Sequence, residues 1–328
     1  MERNINYKNH IERIINSIHH NSSENWLLIN KNKLNFSTFD NYSEIIHGLS
    51  TILYNDFYCK GTSFSEFNQV EGNKPLEVEE DKFLSELNSN NLSENKFNEG
   101  WNILNQEKNG SVLAQKHNFI RLQPPGEYIK MKGAHRIKIW NDKEWSRKSK
   151  GFYYVFSDTL GDSNGANQVR IYFNILPIGS KVLINNLTDF FNKHKIPFQF
   201  KCLKKTSHYN RADPAVLYID KCYLNFSLRI IRLFYNNLKP FLRNGIPLFC
   251  KQIAKGVGFA ESPPNIYESF GTSRVSLISQ AIIKSSVENI SQNNWIKEVL
   301  KNIKTHNLDI KKFYLNPQSS YPYKFIYF

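Results

Sequence analysis

The residues whose types and spacing could support chemistry in this sequence are mainly basic. Arg170 and Lys201 each lie in a short aliphatic segment, Arg211 follows the second segment, and Arg274 lies in the string ESFGTSR. An Arg/Lys set can bind a phosphate dianion through paired hydrogen bonds and can stabilise negative charge that develops during a reaction. The sequence therefore predicts a site for an anion such as phosphate.

Strands are expected to position the first two of these side chains. In Val169–Ile175 the odd positions are apolar, so Arg170 is predicted on the opposite, non-core face. A helix follows, and the next segment alternates in the same way with Lys201 away from the core. A third strand, Ala215–Asp220, comes after the polar turn that carries Arg211. This order predicts that Arg170 and Lys201 share one face of a sheet, although a solvent-facing strand lysine is the simpler interpretation of Lys201.

Arg274 is expected near the start of a helix that Ser269 or Thr272 could cap. Unpaired backbone N–H groups at such a position favour anions, so Arg274 could reach the same phosphate. The alternative is a structural ion pair with Glu268 or Glu261.

Two further lysines, Lys130 and Lys132, alternate with apolar residues and would lie on one face of a strand. There they could extend the anion site, or simply form a solvated face.

Composition and pattern together indicate an α+β protein. The chain has 328 residues, of which 40% are hydrophobic, so it can bury a substantial core. Residues 1–98 are predicted to form a helical N-terminal region that could bind a peptide or a partner. Residues 99–328 are predicted to form an α+β domain with a mixed or antiparallel sheet flanked by helices.

The overall charge and the cysteines narrow the class of protein. A net charge of +14 favours anionic partners, but the lysines are dispersed and no nucleic-acid motif is present, so nucleic acid is not the favoured partner. The four cysteines form no CxxC pair, which argues against a disulfide framework or a structural metal. The N-terminal segment has no apolar signal-like run, and charges interrupt the apolar stretches. We therefore expect a cytoplasmic protein with no membrane partner, metal or cofactor.

Two stretches carry a family resemblance. They are RIYFNILPIGS with its continuation IPFQFKCLKKTSHYNRADPAVLYID, and KGVGFAESPPNIYESFGTSRVSLISQAI. They resemble the HopA-type effector family, which includes the stand-alone lyase subunits of class V lanthipeptide synthetases. The resemblance extends over Tyr42 to Ile290. It implies a fold loosely like that of phosphothreonine lyases, and an activity that eliminates phosphate from a phosphorylated precursor peptide to give dehydroalanine or dehydrobutyrine.

The resemblance also implies roles and partners. Lys201 would be the base, which requires its neutral form, and His208 or Tyr209 would be the general acid. The phosphate ligands would come from the basic residues Arg170, Arg211, Arg274, Lys130 and Lys132. A separate Ser/Thr kinase would supply the phosphorylated peptide, because this chain has no kinase signature. The rival hypothesis is a non-catalytic, effector-like protein that binds a protein partner.

Overall fold

The computed structural model describes residues 6–39, 41–62, 77–132, 135–161, 167–265 and 267–328. Within these ranges the chain forms seven α-helices and three sheets. The helices are α1 (Tyr7–Asn16), α2 (Tyr42–Leu53), α3 (Glu77–Ser89), α4 (Pro177–Lys193), α5 (Leu224–Leu238), α6 (Phe270–Val287) and α7 (Trp295–Thr305). None of these helices is long and apolar enough to cross a lipid bilayer. The predicted α+β fold is confirmed.

All strand pairs in the described residues are antiparallel. The first sheet contains β1 (Ile18–Asn21), β2 (Trp26–Ile29) and β3 (Asn32–Asn35). The second has the order β6-β5-β4-β8-β7 and contains β4 (Lys96–Gln106), β5 (Val112–Lys116), β6 (Phe119–Gln123), β7 (Tyr128–Lys130) and β8 (Arg136–Asn141). The third has the order β14-β15-β11-β13-β12-β10-β9 and contains β9 (Glu144–Trp145), β10 (Phe152–Phe156), β11 (Gln168–Phe173), β12 (Phe198–Leu203), β13 (Ala215–Asp220), β14 (Lys251–Ala254) and β15 (Val257–Glu261).

The seven-stranded sheet is buried on both faces around β11. One face, which contains Val169, packs beneath α4, where the rings of Phe191 and Phe198 lie 5.4 Å apart. The other face carries Arg170 and Tyr172, which are only 7% and 3% exposed. The prediction that Arg170 lies on a non-core face of β11 is therefore wrong. Helix α6 covers it, and two antiparallel neighbours leave no edge of β11 open.

The register of the strands places the two predicted cations on the same face. Arg170 pairs with Tyr218, and Tyr218 pairs with Gln199 on its other side. Lys201 lies two residues beyond Gln199 and therefore points to the same side. The sequence prediction that Arg170 and Lys201 share a face is confirmed.

The N-terminal region contains more than the predicted helices. The small sheet β1-β2-β3 was missed because its strands have four residues each and carry many polar side chains. Helices α1 and α2 bury Ile11, Ile14 and Leu49 in the same core as the seven-stranded sheet. The division of the chain at residue 98 remains a prediction.

Candidate active site

Lys201 is half-buried on β12 and lies among aromatic rings. Its Nζ lies 4.4 Å from the centroid of the Phe152 ring and 5.6 Å from that of Tyr218. In the part of the chain that the structure describes, no carboxylate forms an ion pair with it. Lys201 therefore has an aromatic environment without a compensating carboxylate among the described residues.

Arg170 lies on the opposite side of the same tyrosine. Its guanidinium carbon is 5.3 Å from the Tyr218 ring centroid. Nε donates to Ser262 Oγ at 3.0 Å, and Nη2 donates to the Glu268 carbonyl at 3.1 Å. The structure therefore brings Arg170 and Lys201 to one ring, and Arg170 is held by hydrogen bonds to Ser262 and Glu268.

Arg211 is paired with an acidic residue. Its Nε and Nη2 donate to the two carboxylate oxygens of Asp213 at 2.5 and 2.9 Å, and Nη2 also donates to Tyr54 Oη at 3.1 Å. Burial alone lowers the pKa of Arg211, but the Asp213 carboxylate more than offsets this and raises it. Asp213 thus orients Arg211 and compensates its charge.

Arg274 is used to hold the C-terminal segment. It is 2% exposed, and it donates from Nε to the Phe313 carbonyl at 2.9 Å and from Nη2 to the Leu315 carbonyl at 2.7 Å. Burial lowers its pKa to about 10, while the Glu268 carboxylate opposes that shift. These two donors bind backbone carbonyls and not the carboxylates of Glu268 or Glu261, and the predicted phosphate contact stays a prediction.

The N-terminus of α6 has the predicted cap. Ser269 Oγ accepts a hydrogen bond from the Thr272 backbone N–H at 3.0 Å. Gly271 in the first turn is explained by packing, because a Cβ there would lie 2.5 Å from the ring of the buried Tyr58.

The two predicted acids, His208 and Tyr209, are neighbours in one turn but differ in burial. Tyr209 is 1% exposed, and it donates to the Leu203 carbonyl at 2.9 Å while lying 3.0 Å from Ser180 Oγ of α4. It contacts Cys202, which points to the face opposite Lys201, and burial raises its pKa well above the ordinary value. A proton donor at Tyr209 would have to act through the sheet, so this residue does not fit the role. His208 is exposed on the adjacent turn Thr206–Tyr209.

The two remaining predicted ligands lie on the five-stranded sheet. Lys130 ends β7 and donates to Gln106 Oε1 at 2.6 Å, and Lys132 lies in the turn that follows. Both are exposed, and the structure does not group them with Lys201.

A cleft of about 610 Å³ lies between the five-stranded and seven-stranded sheets. Its walls include Trp140 of β8 and Trp145 of β9, and its lining reaches Gln199 and Tyr218 beside the two cations. Sequence reasoning missed Tyr218. Its neighbour Leu217 points to the other face of β13, and only the pairing with β11 and β12 shows that Tyr218 lies between the strands of Arg170 and Lys201.

Comparison with solved structures finds two similar proteins. An effector protein from Pseudomonas syringae pv. tomato strain DC3000 is 17% identical and aligns over 83% of this chain and 90% of its own, with a TM-score of 0.48. An effector protein from Pseudomonas syringae pv. syringae strain 61 is 13% identical and aligns over 95% of this chain and 96% of its own, with a TM-score of 0.46. No curated protein matches the chain.

A family model described as the HopA1 effector protein family matches residues 144–315. That range contains the whole seven-stranded sheet and helices α4 to α7, and with them Arg170, Lys201 and Tyr218. Because the match covers more than half of the chain, the protein belongs to the HopA1 effector protein family.

Proposed function

We propose that this protein is a phosphothreonine or phosphoserine lyase that eliminates phosphate from a peptide. The observation that carries the proposal is the Lys201 amine, which lies among aromatic rings without an acidic partner in the described residues. Arg170 lies across the Tyr218 ring from it. A base and a fixed positive charge on one sheet face are what phosphate elimination requires.

The proposed reaction needs one proton transfer and one bond cleavage. Neutral Lys201 accepts the Cα proton of the phosphorylated residue, the electron pair forms the Cα–Cβ double bond, and the Cβ–O bond breaks with loss of phosphate. The products are dehydrobutyrine from phosphothreonine, or dehydroalanine from phosphoserine. The lysine becomes an ammonium as the phosphate leaves, so it stabilises the leaving group together with Arg170.

The proton for the leaving phosphate can come from solvent or from His208. Of the two predicted acids, His208 lies at the surface, where an incoming substrate can contact it. Its role stays a prediction.

The biological setting follows from the resemblance. We propose that a separate Ser/Thr kinase phosphorylates a precursor peptide and that this protein dehydrates it, as in lanthipeptide-type biosynthesis. The kinase and the lyase would then act in sequence on one peptide.

A second candidate is a non-catalytic effector-like protein that binds a partner. The partners of two predicted phosphate ligands, Arg211 and Arg274, favour it. Asp213 pairs with Arg211, and backbone carbonyls occupy two donor nitrogens of Arg274. Such engaged arginines contribute less to binding a phosphate than free ones would.

Mass spectrometry of a phosphothreonine peptide incubated with the protein tests the lyase. Wild type should release phosphoric acid from the peptide, and Lys201→Ala and Lys201→Arg should not, because neither variant has an amine that can become neutral at that position. Lys138→Ala is the matched control, since Lys138 of β8 is also a half-buried strand lysine but forms an ion pair with Glu99 of β4. If no protein, wild type included, changes the cognate phosphorylated peptide, the binding protein is the better conclusion.

A further inference from the structure

The cleft between the two sheets has a local charge opposite to that of the whole protein. The chain carries a net charge of +14. Among the described residues that line the cleft, three are carboxylates and two are basic. The carboxylates are Glu127, Asp142 and Asp220, and the basic residues are Arg121 and Lys148. A polyanion therefore meets repulsion here, whereas a neutral or basic segment does not.

The outer wall of the cleft is aromatic and rigid. Trp140 Nε1 and Trp145 Nε1 donate to the two oxygens of Asp142, each at 2.8 Å. The Trp145 ring also contacts Phe156, with 4.7 Å between the ring centroids. Hydrogen bonds from two indoles to one carboxylate fix both rings, so they offer apolar area without losing much conformational freedom on binding.

Within the protein, Lys148 already binds to this aromatic wall. Lys148 Nζ lies 4.8 Å from the Trp145 ring centroid and donates to Asp142 Oδ2 at 2.8 Å. An aromatic face beside a carboxylate attracts an ammonium or guanidinium group. A lysine or arginine side chain of a ligand would meet the same combination by displacing Lys148 from it.

The inner end of the cleft meets the candidate active site. Gln199 and Tyr218 belong to its lining, and Tyr218 is the ring that both Arg170 and Lys201 contact. A chain bound in the cleft can therefore contact Tyr218, the ring that both cations contact.

We propose that this cleft binds the segment of the substrate peptide that flanks the phosphorylated residue, and that it selects apolar and basic side chains over acidic ones. The proposal rests on the proposed function for the position of the phosphate. The phosphorylated residue lies against Arg170 and Lys201, and the flanking segment lies between the tryptophans and β13. The cleft thus determines which phosphorylated residues are accepted.

Fluorescence anisotropy with labelled peptides tests the proposal. The probes are a short phosphothreonine peptide whose flank alternates leucine and lysine, and the same peptide with glutamate in place of lysine. Binding is measured in the Lys201→Ala background, where turnover does not interfere. We expect the lysine peptide to bind at least about tenfold more tightly than the glutamate peptide, and Trp145→Ala to weaken its binding by about tenfold.

Trp26 provides a matched control. Its Nε1 donates to Glu24 at 2.7 Å, and Lys33 Nζ lies 4.5 Å from its ring centroid, so it repeats the arrangement of Trp145 on the small N-terminal sheet. Trp26→Ala should leave peptide binding unchanged, and Trp145→Phe should retain most of it. Equal affinity for the two peptides, or an equal loss in the Trp26 and Trp145 variants, would overturn the proposal. Tighter, Trp145-dependent binding of a single-stranded oligonucleotide would overturn it as well.

Turnover by wild type, measured in parallel, separates this proposal from the proposed function. If elimination occurs but does not depend on the flanking sequence or on Trp145, the lyase proposal is supported and the proposal of a peptide-binding cleft is contradicted. If binding depends on Trp145 and on the charge of the flank but no elimination occurs, the peptide-binding cleft is supported and the lyase proposal is contradicted. Absence of both binding and elimination removes both.

Discussion

The seven-stranded and five-stranded sheets have opposite relations to solvent. The seven-stranded sheet lies within the main core, and even its polar positions around Arg170 are covered. The five-stranded sheet has a separate small core of Trp101, Val112, Ala114, Ile137 and Ile139. It exposes several large apolar side chains, including Leu104, Ile120, Leu122 and Ile129.

This difference matches two different tasks. Charged groups in a covered sheet are desolvated and held by specific partners, which is the setting that alters reactivity. An exposed sheet cannot do this, but it supplies surface area for contact. The candidate base belongs to the first sheet, and much of the cleft wall belongs to the second.

Truncation of one large ring in each core tests whether the sheets are separate units. Phe200→Ala in the main core should lower the free energy of unfolding of the whole protein by about 3–5 kcal/mol. Trp101→Ala should have a cost of similar size that is confined to β4 to β8, because the two rings lie in different cores. Hydrogen exchange followed by mass spectrometry measures both. Faster exchange in β11 to β13 of the Trp101 variant would mean that the sheets unfold together.

Gly271→Ala tests how tightly α6 covers the cation-bearing face. The added methyl group would meet the Tyr58 ring at 2.5 Å, and Tyr58 is 1% exposed and cannot move away. We expect a loss of about 1–3 kcal/mol in the free energy of unfolding, measured by denaturant titration. Gly151→Ala, where no atom lies within 4 Å of the new Cβ, is the control and should change little. Equal stability of the two variants would show that the cover is loose.

His10 of α1 tests how partial burial of a titratable group changes stability with pH. Burial, with a further contribution from Arg13, lowers the pKa of His10 from 6.5 to about 4. Between these values the unfolded chain binds a proton that the folded chain does not, so stability falls as the pH falls through this range. The loss is on the order of 2 kcal/mol and is absent above about pH 6.5.

The control for that experiment is His117, which lies in the turn between β5 and β6 of the five-stranded sheet. His10→Gln should flatten the acid limb of a plot of thermal midpoint against pH. His117→Asn should leave it as in wild type, because His117 is exposed in a turn with a left-handed backbone that asparagine tolerates. An unchanged acid limb in the His10 variant would assign the pH dependence to other groups.

Much of the fold could be predicted from local patterns. The alternation in Val169–Ile175 and around Lys201 correctly placed the two cations on one face, because neighbouring residues in a strand point to opposite sides whatever the sheet around them. The cap at Ser269 was likewise predicted, since it depends only on residues within one helical turn.

The candidate site was predicted less completely. Tyr209 follows Lys201 by a few residues, yet it packs on the other side of the sheet against Ser180. Arg274 was assigned to phosphate from its place at a helix start, but it binds carbonyls of a segment about forty residues later in the chain. In both cases the deciding partner is distant in sequence, and local periodicity carries no information about it.

The sequence by itself determined the α+β class, the family and the shared face of Arg170 and Lys201, because these depend on residue type and on short-range periodicity. Tertiary structure alone decided which faces are covered, that Tyr218 lies between the two cations, and that a cleft with more carboxylates than basic groups in its described lining runs up to them. The physical reason is that burial and charge pairing are set by contacts between segments far apart in the chain, and these contacts exist only once the sheets have packed.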